Sequence, residues 1–289
     1  MSTPQPPVPQ PPVPQPPAPQ QPAPQWQGAP GVSYTSPIPV VRTHLGHALA
    51  SEWTKIKSVR STMWTLGIFL VLVVGIGFLV ATQTDDASFT DVPFTIPAFF
   101  GLVLGQICLI TLGVLVVSSE YGTGMIRTTF TASPQRHRVL TAKLLIFFAV
   151  AFVVSAVAIG VVGLFTQSLH SDTTGNEWGG TVLKGALYVS LLGVLSLAVG
   201  SMLRHSAGAI TAMLGLVLVP AILPAFLLFS DSMRKIGEKM LDYNAPNSLA
   251  KIFGLDNEAG GGNAQLGLLA GVTAAAIVGA FVLLERRDV

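Results

Sequence analysis

Ser61–Thr84 reads STMWTLGIFLVLVVGIGFLVATQT, a stretch without a single charged side chain. An α-helix rises about 1.5 Å per residue, so roughly 20 apolar residues cross a hydrocarbon core of about 30 Å. Five more uncharged runs follow: Val92–Ser119, Leu144–His170, Gly185–Leu203, His205–Ser230 and Ala259–Leu284. A helix at the surface of a water-soluble protein must turn one polar face to solvent, and none of these runs has one. In lipid each run must satisfy its own backbone groups, which makes each a helix. The predicted fold class is therefore an all-α polytopic membrane protein. Its six transmembrane helices fall at about 62–82, 97–118, 144–167, 183–203, 207–229 and 264–284.

Composition agrees. Half of the 289 residues are hydrophobic and 10% are charged, with a mean hydropathy of +0.61. Those values suit a membrane bundle and not a soluble domain. The net charge of +2 conceals an asymmetry. With both ends cytoplasmic, the inner segments hold eleven Lys and Arg residues against four acids, and the outer segments five against ten. The positive-inside rule thus favours both termini cytoplasmic, and the expected location is the plasma membrane, as a multi-pass protein. The inverted arrangement would put Arg136 and Arg138 outside. Cys108, the only cysteine, lies within the second span, cannot form an intramolecular disulfide, and reads as a small apolar filler. The first apolar run begins some sixty residues in, so no cleavable signal peptide is expected and that run should stay as an anchor.

Residues 1–40 hold fifteen of the 21 prolines in a degenerate PPVPQ repeat. This segment is expected to be a disordered, Pro/Gln-rich cytoplasmic tail of polyproline-II character, either a plain extension or a docking site for an aromatic-lined groove. Residues 41–289 form the membrane domain. Between Arg42 and Ser61, the residues Leu45, Leu49, Trp53 and Ile56 repeat at helical spacing, with Glu52, Lys55 and Lys57 elsewhere on the wheel. That pattern predicts an amphipathic interface helix before span one, with Trp53 and Trp64 at headgroup depth and Lys55 and Arg60 on anionic lipid. His44 and His47 share a face without a further ligand nearby, so no metal site is expected.

Between spans five and six, Met233, Ile236, Met240 and Leu241 repeat at helical spacing before Asn244-Ala245-Pro246-Asn247, and Leu249 to Phe253 follows. Two short helices broken at Pro246, an external hairpin at the outer interface, fit better than a seventh span. Pro220 and Pro224 should kink span five, either to line a pathway or to fit its neighbours. Gly267, Gly271, Ala275 and Gly279 recur every four residues in span six, and Gly101 and Gly105 do so in span two. Small-residue stripes of this kind let helices approach closely.

Enzyme signatures are missing from the sequence: no phosphate-binding loop, no metal-ligand spacing and no nucleophile elbow. The spans also lack a charge at mid-depth, which disfavours a carrier driven by its own ion gradient. The most specific segment runs from Glu120 through Gly122, Met125, Ile126, Arg127 and Phe130 to Pro134. A carboxylate closes span two, glycines allow a turn, and a short cytoplasmic helix offers Met125, Ile126 and Phe130 to a partner. Arg136, Arg138 and Lys143 then lead into span three.

The chain resembles a permease subunit of an ATP-binding-cassette exporter, of the six-span type-2 class common in actinobacteria. Three segments carry the likeness: Ser51-Glu52-Trp53-Thr54-Lys55-Ile56-Lys57-Ser58, Glu120-Tyr121-Gly122-Thr123-Gly124-Met125-Ile126-Arg127-Thr128-Thr129, and the closing Leu284-Glu285-Arg286-Arg287-Asp288-Val289. It covers roughly residues 42–289. The resemblance implies a coupling helix over Gly122 to Thr131 seated in a cleft of a separately encoded ATPase subunit, with the pre-span helix beside it. Glu120 would fix the geometry by pairing with a basic group or by capping. The chain itself would then be no enzyme and hold no cofactor, ATP-Mg being bound by the partner. A second copy or a related permease, and the lipid bilayer, would complete the partners, with no nucleic acid. The cargo would be amphipathic: lipid, peptide or drug-like. The competing readings are a non-transport scaffold or sensor that recruits partners through the Pro-rich tail, and a self-contained carrier.

Overall fold

The structure, a computed structural model, describes residues 44–84, 93–132, 135–170, 179–255 and 261–286. All belong to one compact unit, Thr43–Val289. The Pro-rich tail, most of the expected links 85–96 and 170–183, and the last three residues lie outside the described residues.

Among the described residues the chain is all helical, without a β-strand. In chain order the helices are α1 Leu45–Ser58, α2 Arg60–Thr82, α3 Ile96–Gly122, α4 Met125–Ala132, α5 Arg136–Leu169, α6 Gly179–Leu203, α7 Ser206–Ile222, α8 Pro224–Leu227, α9 Arg234–Tyr243, α10 Ala245–Phe253 and α11 Asn263–Arg286. Six of them are long and apolar enough to cross a membrane: α2, α3, α5, α6, α7 with α8, and α11.

Helix α6 forms the centre, packing against α3, α5, α7 and α11, while α2 packs against α3 and α5. Its apolar window is 67% buried and that of α3 56%, against 17% for α7–α8 and 11% for α11. Glycine decides the closest crossings. A Cβ on Gly101 would lie 2.6 Å from the Val73 Cα, and one on Gly105 would lie 3.1 Å from the Phe69 ring. The α3–α6 crossing depends likewise on Gly113, against the Gly193 carbonyl. Without a side chain at these points the two backbones come together and dispersion replaces the hydrophobic effect that lipid does not supply.

Several boundaries differ from the sequence reading. The basic link 119–143 is mostly helical: α3 continues to Gly122, α4 follows, and α5 already begins at Arg136. Arg136, Arg138 and Lys143 therefore stand on the first turns of a 34-residue helix. The interface helix stops at Ser58, Val59 is an extended elbow, and Arg60 opens the first span. The hairpin breaks at Asn244, whose side chain caps α10, while Pro246 sits within the first turn of α10, where a missing N–H costs nothing. Span five is interrupted at Leu223, between Pro220 and Pro224.

The stripe in span six points the other way from the expected packing. Gly267, Gly271 and Ala275 are exposed, and a Cβ on either of these two glycines would meet nothing within 4 Å. Of the stripe's glycines only Gly279 approaches the bundle: a Cβ there would lie 3.4 Å from the Met202 sulfur. Periodicity shows that a helix can be approached closely and leaves open what approaches it.

Candidate functional site

Four charges meet beneath α4. Glu52 comes from α1, Glu120 from the end of α3 and Lys143 from the second turn of α5, with Lys55 one turn beyond Glu52. The Lys143 Nζ donates to Glu52 Oε2 at 2.8 Å and to Glu120 Oε1 at 2.6 Å. The Lys55 Nζ donates to Glu52 Oε1 at 2.7 Å and to the same Glu120 oxygen at 2.9 Å. Lys143, Glu52 and Glu120 are buried, at 3%, 4% and 6% exposure, whereas 30% of the Lys55 side chain is exposed. Two carboxylates and two ammoniums leave the cluster neutral, the condition under which charges survive burial. Burial pulls the Lys55 ammonium down, but the hydrogen bonds and charges of Glu120 and Glu52 outweigh it, and its pKa stands above the usual lysine value. Glu120 Oε2 is buried without a partner.

The expectation for α1 changes accordingly. Lys55, expected on anionic lipid, is instead held by Glu52 and Glu120; Glu52 and Ile56 are buried, while Leu45 and Trp53 are 36% and 45% exposed. Lys143 is the reason. A cation waiting in the bundle rotates the helix until Glu52 reaches it, and Trp53 is left outside with the Lys57 ammonium 5.1 Å from its ring. Of the two roles open to Glu120, pairing is the one the geometry takes. Its pairing with Lys55 and Lys143, and that of Glu52 with Lys143, were not legible because the partners lie 65, 23 and 91 residues apart.

Helix α4 leaves α3 through a tight reversal. The Thr123 N–H and hydroxyl both donate to the Ser119 carbonyl, at 3.0 and 2.8 Å. Gly124 then takes φ +72°, a conformation a side chain would strain. Gly122, singled out in the sequence, is the last residue of α3; the turn falls on Gly124. Ile126 is only 5% exposed. Phe130 is half-buried against the core, with the Arg136 guanidinium 5.4 Å from its ring. Both hold α4 to the bundle instead of presenting it. The outward face of α4 is Met125, Arg127, Thr128 and Thr131.

Two cavities flank the charge cluster. One of about 260 Å³ lies between the α1–α2 elbow and α3, walled by Val59, Thr62, Leu112, Leu115 and Met125. The other, of about 440 Å³, lies between α1, α4 and α5, with His44, His47, Ser51, Thr128 and Arg138 around it. The His44 and His47 rings stack at 3.8 Å. Among the described residues no three His, Cys, Asp or Glu side chains gather as a metal site. What the cluster does chemically is join the interface helix, the end of the second span and the start of the third at the root of α4. No protein-family model matches the sequence, and no curated protein matches it.

Proposed function

We propose that this chain is the membrane-spanning permease subunit of an ATP-driven exporter of the ATP-binding-cassette type. In this reading a separate ATPase grips α4 and the two bundles of a dimer rock between inward- and outward-open states. Both termini lie in the cytoplasm of a multi-pass plasma-membrane protein, and the cargo is amphipathic. One observation carries the reading: at the root of α4, whose outward face is exposed and whose Ile126 and Phe130 pack on the bundle, a buried, neutral charge cluster ties the interface helix α1 to the ends of spans two and three. A push on α1 is thereby passed to spans two and three together, and a push on α4 reaches span two through the turn at Gly124 and the seated Ile126, which is what coupling to a peripheral motor requires. A scaffold would need the exposed face but not the buried tie.

The test uses the outward face, because Ile126→Asp would damage the fold itself. Met125→Asp and Arg127→Glu leave the buried contacts alone. Met125→Asp puts an unpaired charge where an apolar side chain met the partner, and Arg127→Glu reverses a charge; each should weaken association by about two powers of ten. Affinity purification of the tagged chain from its native membrane should bring down an ATP-binding-cassette ATPase in stoichiometric amount, and the two variants should lose it while inserting normally. An unchanged complex in both variants, or no ATPase with the native chain, would overturn the reading.

A further inference from the structure

We propose that the cavity under the α9–α10 elbow is a binding site for an amphipathic molecule with one hydrogen-bond-donating end, an aliphatic or aromatic alcohol or amine. The cavity, of about 180 Å³, lies between α6, α7, α11 and the elbow, on the side of the bundle opposite α1 and α4. An apolar cavity of about 150 Å³ holds benzene, so this one takes an apolar group of about ring size or a short alkyl chain. Its walls are mainly apolar, with Leu192, Leu195 and Val217 buried on the inner side; Tyr188, whose hydroxyl is hydrogen-bonded with Ser248, and Tyr243 are among them. Leu216 and Leu268, which also line it, are 50% and 51% exposed. The site therefore opens sideways between α7 and α11, where a molecule dissolved in the bilayer would enter.

The donor requirement comes from two prolines. Pro220 has no N–H, so the Leu216 carbonyl loses its helical donor, and Pro224 strips the Pro220 carbonyl in the same way. Leu216 and Pro220 both line the cavity. Within a membrane an unsatisfied carbonyl is expensive, and water is not there to meet it. The protein answers one of the two: Asn244 Nδ2 donates to the Pro220 carbonyl, at a stretched 3.5 Å. The other end of the same amide is committed, since Asn244 Oδ1 caps α10 by accepting from the Asn247 N–H at 2.7 Å. Gln265, 7% exposed, is committed too, donating to the Asp242 carbonyl at 3.2 Å. The cavity thus offers mainly apolar walls and, along α7, two carbonyls that no helical N–H can reach. An alcohol or amine fits that chemistry, and an ether or alkane of equal size does not. Calling such a molecule cargo rests on the permease reading; the binding does not.

The experiment takes the full-length chain in phosphatidylglycerol–phosphatidylethanolamine nanodiscs, without any ATPase, so its failure and that of the docking test are separate. A diazirine-bearing octanol is photolysed in place and the labelled peptides are mapped by mass spectrometry. Label is expected on the α7 and α11 segments that line the cavity. Octanol should displace it about fivefold better than octyl methyl ether, the ratio one neutral hydrogen bond gives. Leu268→Trp, which fills the opening from an exposed position, should cut labelling at least about tenfold. Pro220→Ala and Pro224→Ala each restore a backbone donor. Together they should keep the labelling but abolish the preference for alcohol over ether. Equal displacement by the two competitors, unchanged labelling in Leu268→Trp, or a preference that survives in the double proline variant would each overturn the proposal.

Discussion

Lys143 shows how much one side chain can decide. Its ammonium is the centre of a cluster that would otherwise hold two buried carboxylates against the single charge of Lys55. Removing one partner of a buried ion pair typically costs about 3–5 kcal/mol, because the charge left behind has no water. Lys143→Met should therefore destabilise the chain by about that amount. Removing Glu120 together with Lys143 leaves the neutral Glu52–Lys55 pair, so Lys143→Met with Glu120→Leu should be markedly less harmful than Lys143→Met alone. Denaturation followed by circular dichroism in detergent measures both, and equal losses would mean that the four charges do not act as one unit. The cluster also revises the meaning of the charge asymmetry. Lys55 and Lys143 count towards the inner charge excess, yet each is neutralised by the acid beside it. The positive charges left to meet lipid on that side include Lys57 and Arg60, both exposed.

At the scale of the elements, two glycine stripes of similar appearance have opposite surroundings. Gly101 lies against the Val73 backbone, so Gly101→Ala must push α2 and α3 apart at a cost of about 1–3 kcal/mol. Gly267 meets nothing, and Gly267→Ala should be neutral or stabilising by up to about 1 kcal/mol through helix propensity alone. Thermal unfolding of the two variants distinguishes them. If a second copy packs on the outward stripe of α11, Gly267→Leu should shift the oligomer towards monomer in native gels while leaving the melting temperature of the monomer unchanged. The small residues were legible from spacing alone. Their orientation was not, because it depends on how α11 is rotated against α6.

For the whole molecule, the alternation of six spans places α1, α4 and the Arg204 turn on one face and the α9–α10 hairpin on the other. The proposed topology puts the first face in the cytoplasm, on the strength of the charge pattern. In a Cys108→Ala background, Glu238→Cys on α9 should react with an impermeant maleimide applied to intact cells, and Thr128→Cys on α4 only after permeabilisation. Both positions are exposed, so reactivity reports the side of the membrane and not burial. Labelling of Thr128→Cys from outside would invert the molecule and with it the docking proposal.

Hydropathy and length alone determined the class of this protein and its six apolar helices, since lipid permits no other arrangement for uncharged runs of this size, and helical periodicity gave the interface helix and the hairpin. Single residues with local effects were legible as well: the prolines that interrupt span five, and the glycines that begin α4. The tertiary structure decided what those residues touch. Glu52 read as part of a solvated face and is buried, and Ile126 read as a docking residue and is part of the core. Asn244 read as part of a break, and its amide reaches the carbonyl that Pro224 leaves without a donor. Each of these outcomes depends on a partner distant in sequence, and a helix can rotate about its own axis without changing its hydropathy. Which face it finally buries is set by the charges and surfaces waiting on its neighbours.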